Sequence, residues 1–179
     1  MGNADRTEPL TMIGPKGLMK VVHSLCIIAP GLPFDINYIE LDEQVQTIER
    51  NGYTIEAFRV QHSVTCYGYN IVIPRNGKFS VDKAKELGIP VQFWNPLQKG
   101  NEIEHEGKKF TPDMVLGEER KGIKLTYCTD SRPVDIIADM ARDADLFICE
   151  GMYGEEEKQA KAEQNRHMTI CEAAELGKK

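Results

Sequence analysis

The chain has 179 residues, 41% hydrophobic and 28% charged, with a formal net charge of −6. That length and apolar content suit one soluble domain with a real core, and the negative balance argues against general nucleic-acid affinity. No apolar run is long enough to span a membrane. The opening MGNADRTEPL lacks the apolar core of a signal peptide, and Arg6 at its sixth position spoils a myristoylation site, so a cytoplasmic location is expected.

The first predicted element is a short strand in PLTMIGPKG, closed by a Gly-Pro-x-Gly turn. Leu18, Val21, Val22, Leu25 and Ile28 then fall at helical spacing, predicting a helix from Leu18 to Ala29. FDINYIEL alternates as a half-buried strand; YTIEAFRVQHS and TCYGYNIVIP follow as neighbouring strands. This front half reads as antiparallel strand pairs. SVDKAKELGI is helical with Ser80 as its N-cap, and IEHEGKKF is a hairpin around Glu106-Gly107. GIKLTYCTD and ADLFICEG are two strands joined by a crossover helix in PVDIIADMARDA. The second is apolar on both faces, as an interior strand would be. EEEKQAKAEQN is a polar helix and HMTICEAAELGKK a further one. Together these predict an α/β fold with a mixed sheet, one domain over 1–179. Residues 76–124, rich in Gly, Pro and charge, read as an insertion carrying nine Lys or Arg against eight Asp or Glu.

Five cysteines, none in a Cys-x-x-Cys pair, indicate a reduced compartment. Cys66, Cys128 and Cys149 lie in apolar strand-like segments and act as small hydrophobes; a catalytic thiol is the sharper alternative. Asp130 follows a strand and precedes a helix. It either caps that helix or is a ligand at a strand end. Of four histidines, His23 reads as a packing residue and His105 as solvent-exposed. His62 ends a strand and His167 sits where a helix begins. With Asp130 they put three polar groups at element ends, able to face the same end of one sheet. Imidazole and carboxylate suit zinc or manganese, but one His and one Asp do not make a metal site.

The segments TEPLTMIGPKGL, FRVQHSVTCYGY, GKFSVDKAKELGIP, PDMVLGEERKGIKLTYCTDSRP, ADLFICEGMY and RHMTICEAAELGKK occur in this order. Together they resemble ribonuclease Z, the metallo-β-lactamase-fold endonuclease that trims the 3′ end of precursor tRNA. The resemblance implies part of an αββα sandwich: a mixed sheet with helices on one face and a protruding arm at about 76–124. It implies His62 as a metal ligand, and Asp130 in CTDSRP as the carboxylate bridging two zinc ions. It implies Glu150 in CEGMY and His167 in HMT as a proton-transfer pair. Precursor tRNA is the implied substrate, and Lys78, Lys83, Lys85 and Lys99 of the arm are candidate phosphate contacts, with Lys108 and Lys109 beside them. A solvated face is the plainer reading of these lysines.

The family's His-x-His-x-Asp-His signature is not in the chain, nor is its final metal histidine. The chain therefore resembles an internal piece of such a protein. Thr129 and Cys149 replace the glycine and histidine of the matching family segments, and GIPVQFWNP replaces a Gly-Pro-rich arm segment. With His62 and Asp130 as its metal ligands, the chain is expected to bind two zinc ions weakly or not at all, and to be inactive by itself. A non-catalytic oligomerising or RNA-contacting module is the alternative, as is a piece of another hydrolase of this fold. An uncovered sheet edge or face predicts a homo-oligomer.

Overall fold

The structure, a computed structural model, describes residues 6–28, 31–154 and 158–179. The Met1–Asp5 end of the opening segment, the Ala29 end of the first predicted helix and the Glu155–Glu157 start of the polar helix lie outside the described residues. The chain divides into two compact units, one comprising the described residues up to Ile71 with Lys124–Lys179, the other Val72–Ile123.

In the first unit, β1 (Leu10–Pro15) leads through Gly17 (φ 96°) into α1 (Leu18–Cys26) and β2 (Ile36–Leu41). β1 and β2 pair in parallel, Leu10 opposite Ile36, and not as an antiparallel pair. The intervening helix is the reason: it carries the chain back to the starting end, the connection a parallel pair needs. Glu40 fixes this crossover, its Oε1 accepting from the backbone N of Gly17 and Met19, both at 3.0 Å.

A five-stranded sheet follows, ordered β3-β4-β5-β8-β9, from β3 (Val45–Arg50), β4 (Tyr53–Val60), β5 (Cys66–Arg75), β8 (Arg120–Cys128) and β9 (Leu146–Cys149). β3 was not foreseen, yet its turn is plain: Gly52 (φ 88°) closes an antiparallel hairpin pairing Arg50 with Tyr53. β8 and β9 pair in parallel, Cys128 opposite Cys149, so the sheet is mixed as predicted. α5 (Asp135–Ala141) makes their crossover.

The sheet's two faces separate at consecutive, fully buried residues of β4. Phe58 faces a core of Val60, Cys128, Ile137 and Ala138, with Met168 and Leu176 from the C-terminal segment. Ala57 faces Leu41, Ile48 and Tyr67. Burying a side chain of Phe58's size contributes about 1.5–3 kcal/mol. Asn70, also fully buried, ties the sheet to α5: it donates to Glu56 Oε2 and to the Met140 carbonyl (both 2.9 Å) and accepts from Thr126 Oγ1 (2.7 Å).

β9 is the last strand of the sheet, not an interior one. Phe147 and Cys149 pack on the core, while Leu146 and Ile148 are exposed, with Ile71 and Tyr127 exposed beside them. Its two apolar faces therefore record two surfaces suited to burial, of which the described residues cover one.

The second unit, Val72–Ile123, has its own core of Ala84, Ile89, Leu97, Phe110 and Val115. α2 (Val81–Glu86) is capped by Ser80, whose Oγ accepts from Lys83 N at 3.3 Å, a cap typically worth about 1 kcal/mol. The hairpin of β6 (Ile103–His105) and β7 (Lys108–Phe110) turns at Glu106 (φ 50°) and Gly107 (φ 72°), the conformation a two-residue turn demands. Two further short helices, α3 (Trp94–Gln98) and α4 (Pro112–Val115), lie where the sequence predicted no element. Trp94 Nε1 donates to the Ile89 carbonyl at 2.9 Å. His105 is half-buried against Phe93, ring centres 5.0 Å apart, and not simply solvent-exposed.

Candidate metal centre

Asp130 does not cap α5. The N-cap of that helix is Val134, with no side-chain hydrogen bond. Asp130 has φ 53°, a left-handed conformation uncommon for a residue with a side chain, and its carboxylate is 53% exposed. Four non-glycine residues have positive φ among the described residues, and two of them, Asp130 and Arg166, stand at one place. Strained backbone concentrates where a site needs it.

That place gathers ends of the first unit distant in sequence. His62 follows β4, Asp130 follows β8, and His167 follows α6 (Gln159–Asn165) and precedes α7 (Ile170–Leu176). The three side chains offer ligand atoms that all lie within 4.8 Å of one another. The sequence placed His167 outside the metal ligands; the structure sets it within reach of the same point.

Both imidazoles are held from behind. His62 Nδ1 lies 3.1 Å from the Arg166 carbonyl. A carbonyl only accepts, so Nδ1 is the nitrogen that donates to it and Nε2 is the one that remains for a ligand. His167 Nδ1 lies 2.9 Å from Glu150 Oε2 and 3.7 Å from Asp130 Oδ1, so two carboxylates stand at that nitrogen. Glu150 is itself fixed, its Oε1 accepting from Ser131 N at 2.6 Å. A histidine whose second nitrogen is engaged this way has its tautomer and orientation set, the usual support of a metal-binding imidazole. The two rings are 5.1 Å apart.

The backbone around His167 is equally determined. Met168 is fully buried, Met152 N donates to its carbonyl (3.1 Å), and Ile170 N donates to the Tyr153 carbonyl (2.9 Å). Thr169 and Glu172 form a reciprocal capping box at the start of α7. Arg132 forms an ion pair with Glu172 and donates from Nη1 to the His167 carbonyl at 2.6 Å. Burial alone would raise the Glu172 carboxyl, but hydrogen bonds from Arg132, Thr169 and Gln159 outweigh it and hold the group below its usual range. Ser131, Arg132 and Glu172 were not singled out in the sequence; Thr169-x-x-Glu172 is a capping-box pattern that was available.

The three strand cysteines, Cys66, Cys128 and Cys149, are shifted away from the thiolate form that nucleophilic chemistry needs. Burial, with Glu150 adding to it, pushes Cys149 up to about 11. Burial also pushes Cys128 far up, with Cys149 adding to it. The candidate lysines Lys78, Lys83, Lys85 and Lys99 are all exposed on the second unit, without side-chain ion pairs among the described residues; Lys109 pairs with Glu102 at 2.6 Å. No helix among the described residues is long and apolar enough to cross a membrane.

The fold is a partial metallo-β-lactamase architecture, with a donor cluster at strand and helix ends fit for a divalent cation. It superposes on the short form of human tRNase Z with a TM-score of 0.59 at 18% identity, covering 95% of this chain and 56% of that one. No family profile matches the chain. It is 62% identical over all 179 residues to ribonuclease Z of Agathobacter rectalis. It is 48% identical over 184 aligned residues to that of Clostridium acetobutylicum, covering 99% of this chain. The chain spans 59% and 60% of the length of these two relatives. The resemblance to ribonuclease Z read from the motifs is borne out along the whole chain.

Proposed function

We propose that this chain carries the chemistry of a metal-dependent phosphodiesterase acting on the 3′ side of precursor tRNA. The observation that carries the reading is the convergence of His62, Asp130 and His167 within 4.8 Å, with Glu150 behind His167. Two imidazole nitrogens and a carboxylate are a donor set suited to zinc. His62 Nε2 and Asp130 would hold the ion. A bound divalent ion polarises phosphate oxygens and makes a nucleophile available near neutral pH.

His167 has a separate task. Glu150 keeps Nδ1 protonated and the ring in place, so Nε2 is the atom that gains and gives a proton. Positioned there, it delivers that proton to the leaving ribose oxygen, an effect typically worth about 10²–10⁴-fold. The proximity of the three donors favours a second reading, in which His167 completes a three-ligand site for a single ion.

A chimaera separates these. The 179 residues replace the matching part of the Agathobacter rectalis protein. Metal-dependent 3′ cleavage of precursor tRNA is expected, with H167A losing rate while retaining the ion. Loss of the ion in H167A establishes the three-ligand site instead. A chimaera that binds metal and cleaves only a small chromogenic phosphodiester removes the tRNA reading.

The exposed lysines of the second unit would contact tRNA phosphates. Such binding weakens steeply with salt, and no binding at low salt removes it. The uncovered Ile71, Tyr127, Leu146 and Ile148 face supports self-association of the 179-residue chain. Sedimentation as a clean monomer contradicts it.

A further inference from the structure

Arg132 reaches every segment that carries a donor. It lies two residues after Asp130, on the same turn. Its backbone N donates to the Gln61 carbonyl at 2.9 Å, immediately before His62. Gln61 N returns the bond to Ser131 Oγ at 3.2 Å, so the Asp130 and His62 loops are stitched in both directions. Its guanidinium donates from Nη1 to the His167 carbonyl (2.6 Å) and to Glu172 Oε2 (3.1 Å), and from Nη2 to Glu172 Oε1. Glu172 in turn accepts from Thr169 N at 2.9 Å, fixing the backbone just beyond His167. The Arg132 and Glu172 side chains are 14% and 18% exposed, so water competes little for these bonds.

We propose that Arg132 is the positioning residue of the metal centre: a planar clamp that sets His167 against Glu150 and registers it with His62 and Asp130. The proposal rests on the reading of His62, Asp130 and His167 as one centre, and deepens it. The geometry asks for a guanidinium specifically. One carbonyl and both oxygens of one carboxylate are engaged by two nitrogens of a single rigid plane. A lysine ammonium carries the charge but not that fork.

The test uses the 179-residue chain, metal-free and then titrated with zinc, as wild type, R132K and R132Q. The first readout needs no metal: nitrogen-15 spectra of the histidine side chains. Wild type is expected to show His167 as a single Nδ1–H tautomer with a slowly exchanging proton. R132K is expected to keep a cooperative melt and yet lose that slow exchange, with R132Q at least as affected. The second readout is zinc affinity: with His167 as a third ligand it weakens about 10–100-fold in either variant, the usual effect of losing a group that orients ligands, and with His167 as the proton donor it stays near wild type. If R132K melts lower but leaves the His167 spectrum unchanged, Arg132 is structural only and the proposal is overturned. If wild type takes up no zinc, the metal reading fails, and the imidazole spectra still decide the positioning role.

Discussion

Glu150 Oε2 stands 2.9 Å from His167 Nδ1, between side chains 8% and 14% exposed. The same carboxylate accepts the Ser131 amide through its other oxygen. One buried group thus ties β9's end to the Asp130 turn and to the segment before α7. Replacing it by alanine strands the Ser131 N–H and the His167 Nδ1–H together. E150A is expected to cost about 1–3 kcal/mol for each donor left without a partner, read by urea denaturation. E150Q can still accept from Ser131 N, but its amide presents a donor to His167 Nδ1. It should melt close to wild type and reverse the His167 tautomer. An unchanged tautomer in E150Q would show that Glu150 does not orient the ring.

Metal stoichiometry follows from the donor count. The two zinc ions implied by the family resemblance need more protein ligands than His62, Asp130 and His167 provide. The 179-residue chain is expected to bind one equivalent of zinc, and D130N to lose it. Two equivalents surviving dialysis would mean that ligands are supplied by groups outside this cluster.

Stability should fall with acid in a traceable way. Glu172 is held below its ordinary range in the folded chain by its hydrogen bonds from Arg132, Thr169 and Gln159. A depressed folded value contributes stability that is fully present above the unfolded value, about 4.3. That contribution is lost as pH falls through the folded value. Removing Arg132 removes the first of the bonds that hold the group down, so R132Q should show a shallower loss of stability below about pH 4 than wild type. Parallel acid slopes for the two proteins would contradict this.

Gly68 lies on β5 against the Phe58 ring. A Cβ built there meets Phe58 Cζ at 2.4 Å, and Phe58 is fully buried and has nowhere to go. G68A is expected to destabilise by about 1–3 kcal/mol through overpacking. A thermal melt at or above wild type would show that the core can yield.

The cysteines should label in order of access. Cys171 is exposed, while Cys128 is buried and Cys149 partly so, with their thiols raised by that burial. At pH 8, iodoacetamide should modify Cys171 first and reach Cys128 and Cys149 only as the chain unfolds. Rapid loss of Cys149 in the folded chain would restore the thiol as a chemical candidate.

What the sequence determined about this protein was local. Ser80 before an apolar-periodic run caps α2; Glu106-Gly107 turns β6 into β7; two apolar runs around PVDIIADMARDA become β8, α5 and β9. Periodicity, caps and turn chemistry are set by neighbours a few residues apart, and so are visible in one line of letters. The motifs also placed His62, Asp130, Glu150 and His167 in one candidate site. Tertiary structure alone decided the rest. The parallel pairing of β1 with β2, the edge position of β9, the half-burial of His105 and the role of Arg132 depend on which surfaces meet. His62 Nδ1 meets the Arg166 carbonyl across 104 positions of sequence, and Arg132 meets Glu172 across 40. No periodicity spans such distances; only the closing of the core around Phe58, Cys128 and Met168 brings those ends together.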